Sequence, residues 1–330
     1  MHDVTPHQVS GERMAQALED IKGRAFGRWH WMQYGGMSMP QLETMRDELL
    51  DHAAARLAHD PRLDAPLRDV LHTAAQCSLG LLSIGCFPNG DQEIPFPLID
   101  EQLSSEDITF GDIVEDAPTA ATWVDTFAIC LVSGLVWEWK RVIGGLLRED
   151  FAPAIRKGVP YSDHPSVSDP AHLAQMDALC EYLTLSAGHL PRDWPTVVLC
   201  KPGAAERAEA SRKLDAAGPL TSDQRLLRTL LDDDRQAFEQ ALAARLREYR
   251  AGVDDSGVDG AGVDGAGVEG PAPRSLLPLG TLAVAALAVQ AHGWELGVRS
   301  GYLPPALLGS PEALRPAAAE RNDLGGWVAR

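Results

Sequence analysis

Apolar residues recur every three or four positions along most of this chain, the period of an α-helix with a buried side. Between 119 and 148 the stripe is Val124, Phe127, Leu131, Leu135, Trp139, Val142 and Leu146. Ile129, Val132 and Val136 fall on the opposite side, so a long central helix buried over most of its surface is predicted there. The same period predicts helices at about 8–26, 41–59, 62–86, 169–187, 203–217, 222–232, 234–250 and 276–298. Several ends carry capping chemistry. Asp60-Pro61, Asp169-Pro170 and Ser310-Pro311 each place a capping side chain before a first-turn proline. Thr221 and Gln224 have capping-box spacing, and Gly218-Pro219 closes the helix before them.

Two stretches break this rhythm. Residues 88–118 contain Pro88, Pro95, Pro97 and Pro118 and are expected to form a long loop, a length usually kept for function. Residues 252–270 repeat a Gly-Val-Asp-Gly-Ala unit, too rich in Gly and Asp to bury a core, so a flexible tether is expected. The expected organisation is a helical domain over 1–251, a Gly/Val/Asp-rich linker insertion over 252–271, and a C-terminal helical segment over 272–330 that packs onto the same domain. The fold class is all-α: a compact multi-helix array with antiparallel helical hairpins, a long acidic loop and one low-complexity insertion.

The 330-residue length allows one large core or two. Charge changes the picture more than size does. From Asp69 to Trp139 the chain runs 71 residues without Lys or Arg while carrying twelve acids, which contribute −12 of the formal −18. The 252–270 tract adds −5, so the rest of the chain sums to about −1. Nine of the twelve acids lie within 88–118. Negative potential placed in one region steers a basic partner and repels nucleic acid and anionic membranes. It equally describes a solvated loop that keeps the protein soluble, and both readings stand for the loop itself. The N-terminus lacks a positive segment followed by an apolar one, and the most apolar run, Leu276–Val289, is too short to span a bilayer. A cytoplasmic location is expected. The five cysteines are odd in number and lack a CxxC pair, which fits reduced core thiols.

Candidate chemistry is sparse. Two GxGxxG strings, at Gly260, Gly262, Gly265 and at Gly265, Gly267, Gly270, arise from the five-residue repeat and follow a charged helix, whereas a dinucleotide site needs a preceding strand. Glu48 and His52 share a helical face near Asp51, but a di-iron bundle requires Glu-x-x-His pairs on two helices. His292 and Glu295 have acid–base spacing beside Trp294, although a satisfied histidine near a helix end is the commoner case. Asp232, Asp233 and Asp234 lie where acids cap a helix. An enzyme would have to use Glu48, His52 or His292, and spacing alone brings no acid, base and nucleophile together. No catalytic residue, cofactor or metal is expected.

The aromatics are placed more tellingly. Trp29 and Trp31 flank His30, and Trp137 and Trp139 flank Glu138. Residues two apart on a helix point about 200° from each other, so if Trp139 joins the stripe, Trp137 meets another helix or a partner. Three blocks here resemble the immunity protein 49 family of bacterial polymorphic toxin systems: Val136–Ser162, Arg212–Arg250 and Arg274–Gly309. Together they cover about a third of the chain, and the similarity extends from about residue 40 to the C-terminus. The resemblance implies a mostly α-helical protein with a prominent Trp that binds and neutralises a toxin made by the same cell or its kin. It carries over no functional residue and places no role on the Gly-Val-Asp tract.

The expected function is therefore binding of a cognate toxin, encoded nearby, without catalysis. A basic toxin, a nuclease among the candidates, suits the acidic surface. The residues expected to face it are Asp100, Glu101, Glu106, Asp107, Asp112, Glu115, Asp116 and Trp137. A helical-repeat adaptor holding a peptide in a groove is the alternative that the 203–250 hairpins suggest.

Overall fold

The computed structural model describes residues 1–106, 116–137, 142–186, 196–259 and 270–309. In chain order its elements are β1 (His2–Val4), α1 (Gly11–Leu18), α2 (Ile21–Gly35), α3 (Met39–His59), α4 (Ala65–Cys86), β2 (Glu93–Phe96), β3 (Glu101–Ser104), α5 (Ala120–Val132), α6 (Val142–Gly145), α7 (Ala152–Lys157) and α8 (Pro170–Cys180). There follow β4 (Leu183–Ser186), β5 (Thr196–Leu199), α9 (Ala204–Ala216), α10 (Ser222–Leu231), α11 (Arg235–Asp259), α12 (Leu279–Gln290), β6 (Val298–Ser300) and α13 (Pro305–Leu308). A 3-10 turn spans Leu135–Trp137, a π-helical segment Leu146–Phe151 and a second 3-10 turn Pro273–Leu276. The architecture is all-α; the strands among the described residues pair only in twos, β1 with β6, β2 with β3 and β4 with β5.

The helices wrap α5, which packs against α4, α8 and α12. Its Trp123 is fully buried, stacks on Phe127 at 5.4 Å and donates its indole N–H to the Leu147 carbonyl at 2.9 Å. Truncating a ring so enclosed costs about 3–5 kcal/mol. α12 is apolar on nearly every side and is buried from Thr281 to Ala288, the signature of a helix inside the core. One continuous apolar cluster runs from Val4 to Leu308 and includes Leu42, Leu71, Phe96, Phe127, Leu227, Phe238 and Leu287. The parallel β1–β6 pair holds the N-terminal strand beside the segment that follows α12.

Three predicted boundaries are corrected. The expected 119–148 helix is broken. Gly134 adopts φ +78° after α5, and its N–H turns back to the Leu131 carbonyl, which ends the helix. Leu135 and Val136 remain buried, so the stripe is used by short segments in place of one rod. The expected 8–26 helix is two, because Asp20 caps a new start by accepting from the Gly23 N–H at 3.0 Å. Asp60 does not cap the fourth helix. It closes α3 and pairs with Arg62, while Asp64, ahead of Pro66, accepts from the Leu67 N–H at 3.0 Å and starts α4. α11 also runs on to Asp259, eight residues into the Gly-Val-Asp tract; residues 260–269 and Ser310-Pro311 lie outside the described residues.

Candidate functional site

The acidic 88–118 stretch is not loop throughout. Glu93–Phe96 and Glu101–Ser104 pair antiparallel in the register Glu93↔Ser104, Ile94↔Leu103, Pro95↔Gln102 and Phe96↔Glu101. Opposite residues share a face, so Ile94, Phe96 and Leu103 turn inward together and are buried. Ile94 lies against Gly80 of α4, and the Leu98 N–H donates to Thr73 Oγ1 at 3.0 Å. Asp100 turns the corner at φ +57°, a left-handed position that Asp tolerates. At the base, Gln92 and Ser105 exchange bonds: Ser105 N–H to the Gln92 carbonyl at 3.0 Å and Gln92 N–H to Ser105 Oγ at 2.9 Å. The hairpin is thus an apolar-backed platform.

Its outer rim is acidic. Asp100 at the tip and Glu106 beyond the base are exposed, and Glu101 is half-buried at the margin of the inner face. Asp91 and Glu93, outside the expected set, are also exposed beside them. Asp116 is half-buried just before α5. Asp107, Asp112 and Glu115 lie outside the described residues, as does the side chain of Trp137, whose backbone closes a 3-10 turn.

The structure adds a neighbour that sequence reasoning did not assign. α2 buries Ala25 and Met32 and turns three aromatics to solvent: Phe26 is 45% exposed, Trp31 59% and Tyr34 74%. Phe26, His30 and Tyr34 recur every fourth residue and form a strip, with ring centroids 6.4 and 4.7 Å apart; Trp29 lies 5.3 Å from Phe26. Arg28 clamps α2 to α3, donating from Nε to Glu48 Oε2 at 2.7 Å and from Nη2 to Glu48 Oε1 at 2.5 Å. Trp29 Nε1–H donates to the Gln102 carbonyl at 2.9 Å, which joins the strip to strand β3. The sequence signal was the Trp29-His30-Trp31 run; what it lacked was any sign that His30 and Trp31 face water.

The residues considered for catalysis are otherwise engaged and point apart. Glu48 serves Arg28, Asp51 receives the Arg274 guanidinium at 2.7 Å, and His52 Nδ1 bonds the Ala17 carbonyl at 2.9 Å. His292 turns from the exposed Glu295 and lies between Asp233 at 3.0 Å and the Tyr182 hydroxyl at 2.9 Å. Asp233 also takes Lys201 at 2.6 Å and Arg207 at 3.1 Å, while Asp234 caps α11 through the Ala237 N–H. Burial pushes the His52 and His292 pKa values below the usual histidine range.

One contact imitates a Ser–His dyad: His7 Nε2 lies 2.8 Å from Ser275 Oγ. The Tyr302 hydroxyl accepts from the His7 backbone N–H at 2.9 Å and lies 2.7 Å from Nδ1, while the Ser275 hydroxyl donates to the Ala272 carbonyl at 2.6 Å. The serine is thus engaged by backbone as well as by the imidazole. Cys77, Cys86 and Cys180 are buried free thiols pushed up to about 12 by desolvation, far from thiolate chemistry at neutral pH. Among the described residues no group of three or more His, Cys, Asp or Glu is placed to hold a metal ion, and no helix is long and apolar enough to cross a membrane.

The family model described as immunity protein 49 matches residues 60–307 of this chain. The hairpin falls inside the matched span and α2 precedes it. No curated protein and no solved structure matches the chain.

Proposed function

Because this chain belongs to the immunity protein 49 family, we propose that it binds and neutralises a cognate bacterial toxin by docking alone, with no bond made or broken. The observation that carries the reading, beyond the family, is the acidic hairpin rim set beside an exposed aromatic strip. Long-range charge gathers a basic partner, and aromatic rings then supply contact area with few rotatable bonds to freeze. Asp100, Glu101, Glu106 and Asp116, with Asp107, Asp112 and Glu115, are the acids assigned to that approach. A nuclease toxin suits this surface, since a protein that holds phosphate is basic and an acidic inhibitor imitates its ligand. The protein acts in the cytoplasm of the cell it protects, with the toxin encoded in a neighbouring reading frame.

Co-expression tests this directly. Cells producing that neighbouring toxin should grow when this chain is present. Continued killing, with both proteins made and soluble, overturns the reading.

A further inference from the structure

The surface joined through Trp29 and Gln102 has two halves of opposite sign. On one half, Lys22, Phe26, His30 and Tyr34 follow at four-residue spacing along α2, so they share a face, and all four are exposed. Trp31 is exposed beside them. α2 contains Lys22, Arg24 and Arg28 and neither Asp nor Glu. Arg28 is matched by Glu48. Lys22 and Arg24 pair with no carboxylate among the described residues; Arg24 Nη2 donates to the Ala17 carbonyl at 3.0 Å, and its Nε is buried without a partner. This half is aromatic and cationic, in a chain of net charge −18.

The other half is the hairpin rim, where Asp91, Glu93, Asp100 and Glu106 are exposed and no Lys or Arg occurs in the surrounding sequence. Glu93 shares the outer face of the ribbon with Ser104, whose Oγ donates to Asp91 Oδ1 at 2.6 Å, and with Gln102, whose carbonyl holds Trp29. The halves therefore abut. A surface that is cationic on one half and anionic on the other is complementary to itself. A two-fold axis passing between the halves sets α2 of one copy on the rim of the other, and makes the reciprocal contact in the same step. A basic partner matches the charge of the rim alone and an acidic partner that of α2 alone, whereas a second copy matches both. The exposed rings of Phe26, Trp31 and Tyr34 leave water in the same contact.

We propose that two copies of this chain associate through this surface, α2 of each on the hairpin rim of the other, and that toxin and second copy compete for it. The self-association goes beyond the docking reading; only the competition rests on it. Each copy contributes one helix and one short ribbon, so the contact is small and the dimer reversible. Toxin that takes the same surface draws monomer out of the dimer by mass action.

Sedimentation velocity of the full chain tests this. Monomer at about 1 µM should give way to dimer at about 100 µM, and raising salt to about 0.5 M should weaken the association about tenfold or more. Lys22→Glu and Glu93→Lys change exposed side chains without an ion pair among the described residues, so both variants should fold. Each substitution acts twice in a two-fold contact and should weaken the dimer about tenfold or more. An equal mixture of the two variants should dimerise again, because the mixed pair has one contact as in the wild type and the other reversed in both signs. Trp31→Ala should also weaken the wild-type dimer. A chain still monomeric at about 100 µM overturns the proposal. A dimer that all three substitutions leave intact overturns this surface as the seam, and a mixture that stays monomeric overturns the setting of α2 on the rim. Added toxin, in an inactivated form, should turn the dimer into a one-to-one complex; toxin bound to an intact dimer overturns the competition. If the chain dimerises as described and binds no toxin, the docking reading fails and the self-association stands.

Discussion

Trp29 donates its indole N–H to the Gln102 carbonyl at 2.9 Å, and this bond ties the solvent-facing aromatic strip of α2 to the outer strand of the acidic hairpin. Two surfaces distant in sequence thereby become one. Trp31 and Tyr34, 59% and 74% exposed, touch little of the fold, so truncating them should not disturb it. Trp31→Ala and Tyr34→Ala are each expected to change unfolding stability by less than about 0.5 kcal/mol. If the strip anchors the toxin, each should weaken binding by about 1–2 kcal/mol or more. Denaturant unfolding and a dissociation constant, measured on the same preparations, check the two halves. Unchanged affinity in both variants removes the strip from the interface.

Glu93 and Glu106 are exposed on the hairpin rim and make no ion pair among the described residues. Glu93→Lys with Glu106→Lys should therefore leave folding intact. The double variant should associate with toxin about tenfold more slowly at low salt and lose most of the salt dependence of that rate, with a smaller change in dissociation. Stopped-flow association across a range of ionic strength reads both. Identical rates would assign the rim to solubility alone.

Much of the helical scaffold was legible because its ends are written in local chemistry. Thr221 and Gln224 form the capping box their spacing predicts, with Thr221 N–H to Gln224 Oε1 at 2.9 Å, and Asp169 caps α8 ahead of Pro170 through the Ala171 N–H at 2.8 Å. The hairpin was hidden because Pro95 and Pro97 read as loop residues and its strands are four residues long, too short for the Ile94, Phe96 alternation to stand out. Pro95 is tolerated in a strand because the two-stranded ribbon has only edges. The pairing of β1 with β6 joins the two ends of the fold and leaves no local trace. Exposure of Phe26, Trp31 and Tyr34 was also unreadable, since an aromatic residue on a helix normally predicts burial.

Gly80 seats the hairpin on α4. A methyl group there would lie 2.5 Å from Ile94 Cδ1 and 3.0 Å from Cγ1. Gly80→Ala gains about 1 kcal/mol of helix propensity, yet must push the hairpin outward, and a net loss of about 1–2 kcal/mol is expected. Ile94→Val deletes the nearest atom and should cost about 1 kcal/mol alone. Combined, the two should cost about 1 kcal/mol less than their sum, because the valine makes room for the alanine. Additive costs from denaturant unfolding would show that the hairpin yields freely at this point.

Acid should weaken the fold before its carboxylates titrate. His7, His52 and His292 have pKa values held below the ordinary 6.5, in each case first by burial. The unfolded chain takes up protons at these positions as pH falls through about 6.5, and the folded chain refuses them until lower pH. Protons bound only by the unfolded state favour it, so the histidines' contribution is whole above about pH 6.5 and declines below it, by up to about 1.4 kcal/mol per pH unit for each. Asp51 acts oppositely and later: burial holds it above the ordinary 3.8, so the folded chain binds its proton first. Urea midpoints should thus be level from about pH 8 to 7 and fall as pH drops below about 6.5. Replacing His52 with Gln, which can still reach the Ala17 carbonyl, should make the fall shallower. A midpoint that holds steady through this window would mean the three imidazoles charge as readily in the folded chain as in the unfolded one.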